Sequence, residues 1–227
     1  MATLLSLVND VERESGTVAS TQRLASVTGA IGQQEKIVQW VVQAWEDIQR
    51  MRGDWLFMRK EFSYALTISQ ARYLPTNLGI TDFGEWAQPV DGVSPYKVYD
   101  PAQGVRDETR VPVRPYRHWQ NLYDIQSAED NRPGLIAFDW QRRLCLGPAP
   151  DKAYVFSGEY RRAIQTLAAD TDEPDMPADY HKAIVWLAIS YLGEHDEAPV
   201  AMPSGQTRFR SVYGAMVRNC IEAIELS

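Results

Sequence analysis

Hydrophobic and polar positions follow two different periods along this chain, and the changes of period set out its layout. Leu4, Leu7, Val8 and Val11 recur at helical spacing, with Thr3 placed as N-cap and Gly16 as a stop, which predicts a first helix reaching about Glu14. Residues 15–32 are small, polar and punctuated by glycine. Leu24, Val27 and Ile31 are their only anchors, so the segment reads as a connector. A second helix, about Gln33 to Met51, puts Ile37, Val41, Ala44, Trp45 and Ile48 on one stripe, and Val38 and Trp40 widen it.

From Trp55 the helical period is lost. Phe62, Tyr64, Leu66 and Ile68 alternate with polar or small residues and predict a strand. Leu74 to Tyr96 is rich in Pro, Gly and Asp, with Phe83 and Trp86 as isolated aromatics, and reads as a long ordered loop. Three short apolar runs follow, Gly134 to Phe138, Arg143 to Leu146 and Tyr154 to Arg161. Tight polar or proline-rich turns separate them, so they read as an antiparallel meander, with Tyr154, Phe156 and Tyr160 on one face.

The acidic run Asp170 to Asp175 returns the chain to helices, with Pro177 placed at a helix N1 position and Asp175 nearby to cap. The third helix carries Tyr180, Ile184, Leu187 and Tyr191 and ends near Gly193. The fourth starts at Ser204 and runs to Leu226 through Phe209, Val212, Tyr213, Met216, Val217, Cys220, Ile221 and Ile224. The pattern predicts an α+β fold: an antiparallel helical bundle built from both chain ends, with an inserted antiparallel β region. The expected parts are residues 1–54 and 172–227 for the bundle and 55–171 for the insert.

Composition narrows the function. The 227 residues are 44% hydrophobic, enough for a sizeable core. A net charge of −7 argues against a protein that grips nucleic acid. Cys145 and Cys220 are the only cysteines and lie in differently patterned segments, which suggests neither a disulfide framework nor a zinc site and fits a reducing compartment. The start MATLLSLVNDVERE lacks a signal-peptide pattern, and no apolar run approaches membrane-spanning length.

Each candidate for chemistry has a duller reading beside it. Asp170 and Asp172 alternate as in a calcium loop, but the central Gly is missing and His181 stands where the bidentate Glu is needed. His181 and His195 have no HExxH or CxxC around them and read as polar surface or boundary residues, and His118 reads as packed beside Trp119. Ser157-Gly158 lacks the GxSxG elbow, Cys145 has no nucleophile signature, and neither GxGxxG after a strand nor GxxxxGK[ST] occurs. No catalytic residue, metal ligand or cofactor is therefore assigned. Trp55, Phe57, Tyr64, Tyr73, Trp86, Tyr96, Tyr99, Tyr116, Trp119, Tyr123 and Trp140 fall in the insert, where such rings suit a subunit interface as well as a core. Arg106, Arg110, Arg114 and Arg117 partly meet the needs of a single-strand platform, but Asp100, Asp107 and Glu108 offset them.

The run KIVQWVVQAW from Lys36 to Trp45, continued by Ile48-Gln49 and Trp55-Leu56-Phe57, resembles the adaptor (connector) proteins at the head-to-tail junction of tailed bacteriophages. Val98-Tyr99-Asp100, LCLGPAPD from Leu144 to Asp151, Gly158-Glu159-Tyr160, Asp172-Glu173-Pro174, Met176-Pro177 and HKAIVW from His181 to Trp186 extend the likeness in the same order. Together they cover most of the chain from Lys36 to Leu192, and none is a catalytic motif.

The resemblance implies a virion structural protein made in the host cytoplasm. It implies a homo-oligomeric ring, commonly of twelve subunits, docked below the portal protein, presenting a platform to tail or nozzle proteins and continuing the DNA channel. DNA then passes without sequence-specific binding, and no membrane is involved. Twelve copies at −7 carry about −84, a wall that repels passing phosphates, although ordinary solvated surface accounts for the charge equally well. The stripe Phe209, Val212, Tyr213, Met216 and Val217 is the expected portal or subunit interface, with bundle core as its other reading. A tail or neck completion protein, and an enzyme with an unfamiliar site, remain as alternatives.

Overall fold

A computed structural model of the chain describes residues 2–16, 23–125, 128–195 and 201–221. The chain divides into two units, Met1–Met58 with Ile164–Ser227, and Arg59–Ala163. The architecture is α+β, and the paired strands of both sheets run antiparallel.

The first unit is helical. Its α1 (Leu4–Ser15) begins where the Thr3 hydroxyl accepts the Ser6 N–H and ends at Gly16, whose φ of 69° only glycine adopts without strain. Leu4, Leu7, Val8 and Val11 are buried, as is the α2 (Gln33–Arg50) stripe of Ile37, Val41, Ala44, Trp45 and Ile48. In α4 (Lys182–His195) every residue from Ala183 to Ser190 is buried, because α1, α2 and α5 (Ala201–Asn219) all pack on it. A helix enclosed on all sides loses the polar face that periodicity depends on.

Four details of this unit differ from the expectation. Pro177 precedes a short 3₁₀ turn, Ala178–Tyr180, and α4 begins only at Lys182. The last helix starts at Ala201, with Pro203 in the first turn where a missing N–H costs nothing, and it stops at Asn219. It stops because Leu56 donates its N–H to the Cys220 carbonyl and Ile221 bridges Trp55 in extended form. Ile224 and Leu226 lie outside the described residues. In the connector, Val27 is buried but Ile31 is 80% exposed and anchors nothing. Trp55 and Phe57, expected among the insert's aromatics, pack in the helical core instead.

The second unit has two sheets. In the larger, β1 (Arg59–Ala65) pairs along one edge of β8 (Val155–Arg162), while β3 (Phe83–Trp86) and β4 (Lys97–Tyr99) share the other edge. The short β5 (Thr109–Arg110) pairs with β4. In the smaller, β7 (Leu144–Gly147) lies between β2 (Arg72–Tyr73) and β6 (Leu135–Phe138). Only β6 and β7 form the expected hairpin, and the meander is broken because β8 leaves it for the other sheet. Every second residue of β8, from Phe156 through Gly158 and Tyr160 to Arg162, is buried. Phe83 and Trp86 are not isolated loop aromatics: they lie on β3, and Trp86 stacks on Phe138 with centroids 5.4 Å apart. The sequence reading did not anticipate α3 (Tyr116–Tyr123), which covers β6 and β7 and encloses Trp119 and Cys145.

Candidate interaction site

The proposed interface stripe lies on α5. Met216 is fully buried, and Phe209, Val212, Tyr213 and Val217 are half-buried against the same core. Tyr213 meets Trp55 edge-on at 6.0 Å and Phe209 at 5.5 Å. The five residues thus share one face, and that face is turned towards the interior of the helical unit. What α5 leaves in solvent is a polar row including Arg210, Ser211 and Arg218.

The crossing of α5 over α4 is close because position 205 has no side chain. A Cβ there would lie 2.9 Å from both the Trp186 carbonyl oxygen and the Ser190 hydroxyl. Gly205→Ala therefore forces two helices apart and is expected to cost about 2 kcal/mol, read as a lower urea midpoint.

In the same unit, two glutamines join α2 to the returning chain. The Gln49 amide is fully buried; its nitrogen donates to the Gln165 carbonyl at 2.9 Å and its oxygen accepts the Gln165 N–H at 2.8 Å. The Gln165 side chain in turn accepts from the Trp45 indole and donates to the Glu173 carbonyl. Gln49→Leu leaves the Gln165 amide groups unpaired in the interior and is expected to cost about 2–3 kcal/mol by denaturant unfolding.

The acidic run is also engaged in structure. The Asp172 and Asp170 carbonyls accept the Leu4 and Leu5 N–H groups at the start of α1. The Asp170 carboxylate accepts the Val27 N–H, and that of Asp172 accepts from Ala168 and Ala169, which holds it below the usual carboxylate range. His181, expected at the surface or at a boundary, is buried; its Nδ1 accepts the Ala2 N–H, which leaves Nε2 to donate to the Met176 carbonyl. His195 meets Lys36 and the Trp40 ring, and His118 is exposed while its neighbour Trp119 carries the packing.

In the β unit, Arg132 grips both oxygens of Asp107 at 2.8 and 2.9 Å and donates to the Val98 carbonyl. The Asp107 carboxyl is held low chiefly by that guanidinium, and Asp100 chiefly by the Ala102 N–H and then by Lys152. A shallow polar depression on the outer face of the large sheet is lined by Glu61, Ser63, Lys97, Ser157 and Glu159. Lys97 is already paired with Glu108 at 2.9 Å. Among the described residues, no three His, Cys, Asp or Glu side chains converge as a metal site.

Burial pushes several acidic protons to high pH. The Cys145 thiol rises to about 11, and the Tyr160 phenol rises to about 12 through burial and its 2.7 Å hydrogen bond to Asp82. Tyr154 rises to about 12 through burial and its bond to Asp151. These protons stay on the folded chain above pH 10, where the unfolded chain has begun to lose them. Their contribution is therefore complete below about pH 9 and lost as pH rises towards 12. Urea midpoints are expected to fall from pH 9 to 11, with phenolate absorbance lagging that of the unfolded chain.

The two units make up an α+β protein of helices and antiparallel sheets. The sequence model of the SU10 adaptor protein family matches residues 2–224, nearly the whole length, and the chain belongs to that family of phage structural adaptors. No curated protein matches the sequence. No helix among the described residues is long and apolar enough to cross a membrane.

Proposed function

We propose that this protein is a head-to-tail adaptor whose copies, twelve in number, form a ring below the portal protein, receive tail or nozzle proteins and continue the DNA channel. The observation that carries this reading is the family match over residues 2–224. In this reading the helical layer drawn from both chain ends is an antiparallel bundle and the β region is its insert. The negative charge of each copy gives the channel a wall that phosphates do not adhere to.

Native mass spectrometry of the chain, alone and with portal-bearing heads, tests the reading. A ring of about a dozen copies formed on the portal is the expected result. Binding to tail components with indifference to the portal would instead make it a tail or neck completion protein. The portal contact is assigned to α5, and its exposed row offers the clean test. Ser211→Arg is expected to weaken portal binding at least tenfold without changing the circular dichroism spectrum. Unchanged binding would remove α5 from the interface.

A further inference from the structure

Charge is divided unevenly between the two units. Residues 1–58 and 164–227 hold 17 Asp and Glu against 9 Lys and Arg, a net −8, whereas residues 59–163 hold 13 against 14, a net +1. On the β unit, basic and aromatic groups meet at the turn between β6 and β7. There the Asp139 carboxylate accepts the backbone N–H groups of Gln141 and Arg143, at 2.8 and 2.9 Å, and the Arg143 Nε at 2.6 Å. Arg142, at a φ of 60°, accepts the Trp86 indole N–H on its carbonyl and donates its guanidinium to the Gly84 carbonyl. The turn is thus fixed from both sides.

At its apex Trp140 is 74% exposed, and its ring meets Tyr116 edge-on at 5.4 Å. Arg117, the next residue after Tyr116, is exposed, as is Arg142. A large indole held in place before any partner arrives, on a turn that also carries the exposed Arg142, has the character of an interface anchor, since little ordering entropy is left to lose. A single indole is a poor platform for a nucleic-acid strand, which needs successive stacking rings, and the chain's overall charge repels phosphate. An acidic protein surface suits it, and the helical unit of this chain offers one, including the exposed Glu35, Asp175 and Asp179.

We propose that the Trp140 turn of one copy docks on the acidic helical unit of a second copy, a head-to-tail contact between unlike surfaces of the kind that closes a ring. The proposal rests on the self-assembly read above and names the surfaces that carry it.

The test places the photo-crosslinker p-benzoylphenylalanine at Gln141 in the full chain. Equal amounts of ¹⁵N-labelled and unlabelled copies are irradiated alone and bound to portal-bearing heads. Mixed-label peptide pairs joining this turn to residues 1–58 or 164–227 are expected. Adding Trp140→Ser should lower their yield about thirtyfold, and Arg117→Glu should lower it with the circular dichroism unchanged. Crosslinks to portal, to DNA or within one copy, or none at all, overturn the proposal. Copies that assemble on the portal without this crosslink refute the contact alone. Copies that crosslink as expected but ignore the portal refute the adaptor reading and leave the contact standing.

Discussion

Truncation after Pro203 is expected to unfold the helical unit rather than to remove a detachable arm. The deleted segment includes Gly205, Met216 and Cys220, all buried, and the half-buried Phe209, Val212, Tyr213 and Val217. It also supplies the Cys220 carbonyl that accepts the Leu56 N–H and the Ile221 bridge to Trp55, whose ring is fully enclosed. Truncating one buried Met costs about 2–5 kcal/mol, so losing the whole helix exceeds the roughly 5–15 kcal/mol by which a domain is stable. Loss of near-UV circular dichroism is the expected reading. Met216→Ala gives a graded version, about 3 kcal/mol by urea unfolding. A truncated chain with a native near-UV spectrum would falsify the placement of α5 in the core. Because truncation destroys the unit, its effect on portal binding says nothing about an interface, and the Ser211→Arg test above replaces it.

Gly158→Val is expected to be the most damaging single substitution in the β unit. Gly158 faces inward on β8, and the Tyr96 ring lies where a side chain would stand: a Cβ would come 2.3 Å from Tyr96 Cδ1 and 3.2 Å from Phe62 Cε1. Tyr96 cannot retreat cheaply. Its ring stacks on Phe156, and its hydroxyl donates towards the Ala87 and Glu159 carbonyls at 2.9 and 3.1 Å. Burial, with the nearby Glu159 charge adding to it, raises its pKa, so the phenol stays neutral. Overpacking against so fixed a ring costs about 3 kcal/mol or more. A fall of more than 10 °C in the thermal midpoint corresponds to that cost for a unit of this size. A fall of about 2 °C or less would show that Tyr96 has somewhere to go.

Glycine at this position also shows where sequence reading stops. Nothing local distinguishes Gly158 from a glycine in a turn; the ring that requires it comes from a residue far away in the chain. The same limit explains the meander, since Tyr154 to Arg162 has the alternation of a strand wherever it pairs, and only its edge pairings with β1, β3 and β4 place it in the larger sheet. Composition places Trp140 among the insert's rings because it does not tell a buried indole from a displayed one. The signal that could have singled it out is Asp139, a turn-initiating residue directly before Trp140 and three positions before Arg142. Likewise the stripe from Phe209 to Val217 looks the same whether it faces a partner or the chain's own core.

What the sequence by itself determined is everything carried by local period and end signals: α1 with its Thr3 cap and Gly16 stop, α2 to within a residue, the strands β6, β7 and β8, and the family itself, which rests on a joint pattern spread along the chain. These survive because a cap or an alternating face needs only its neighbours to be recognised. The tertiary structure alone decided which strands pair, where α4 and α5 begin, that α3 closes over Cys145, and which aromatics are enclosed. Each of these depends on what a face is buried against, and that partner comes from elsewhere in the chain.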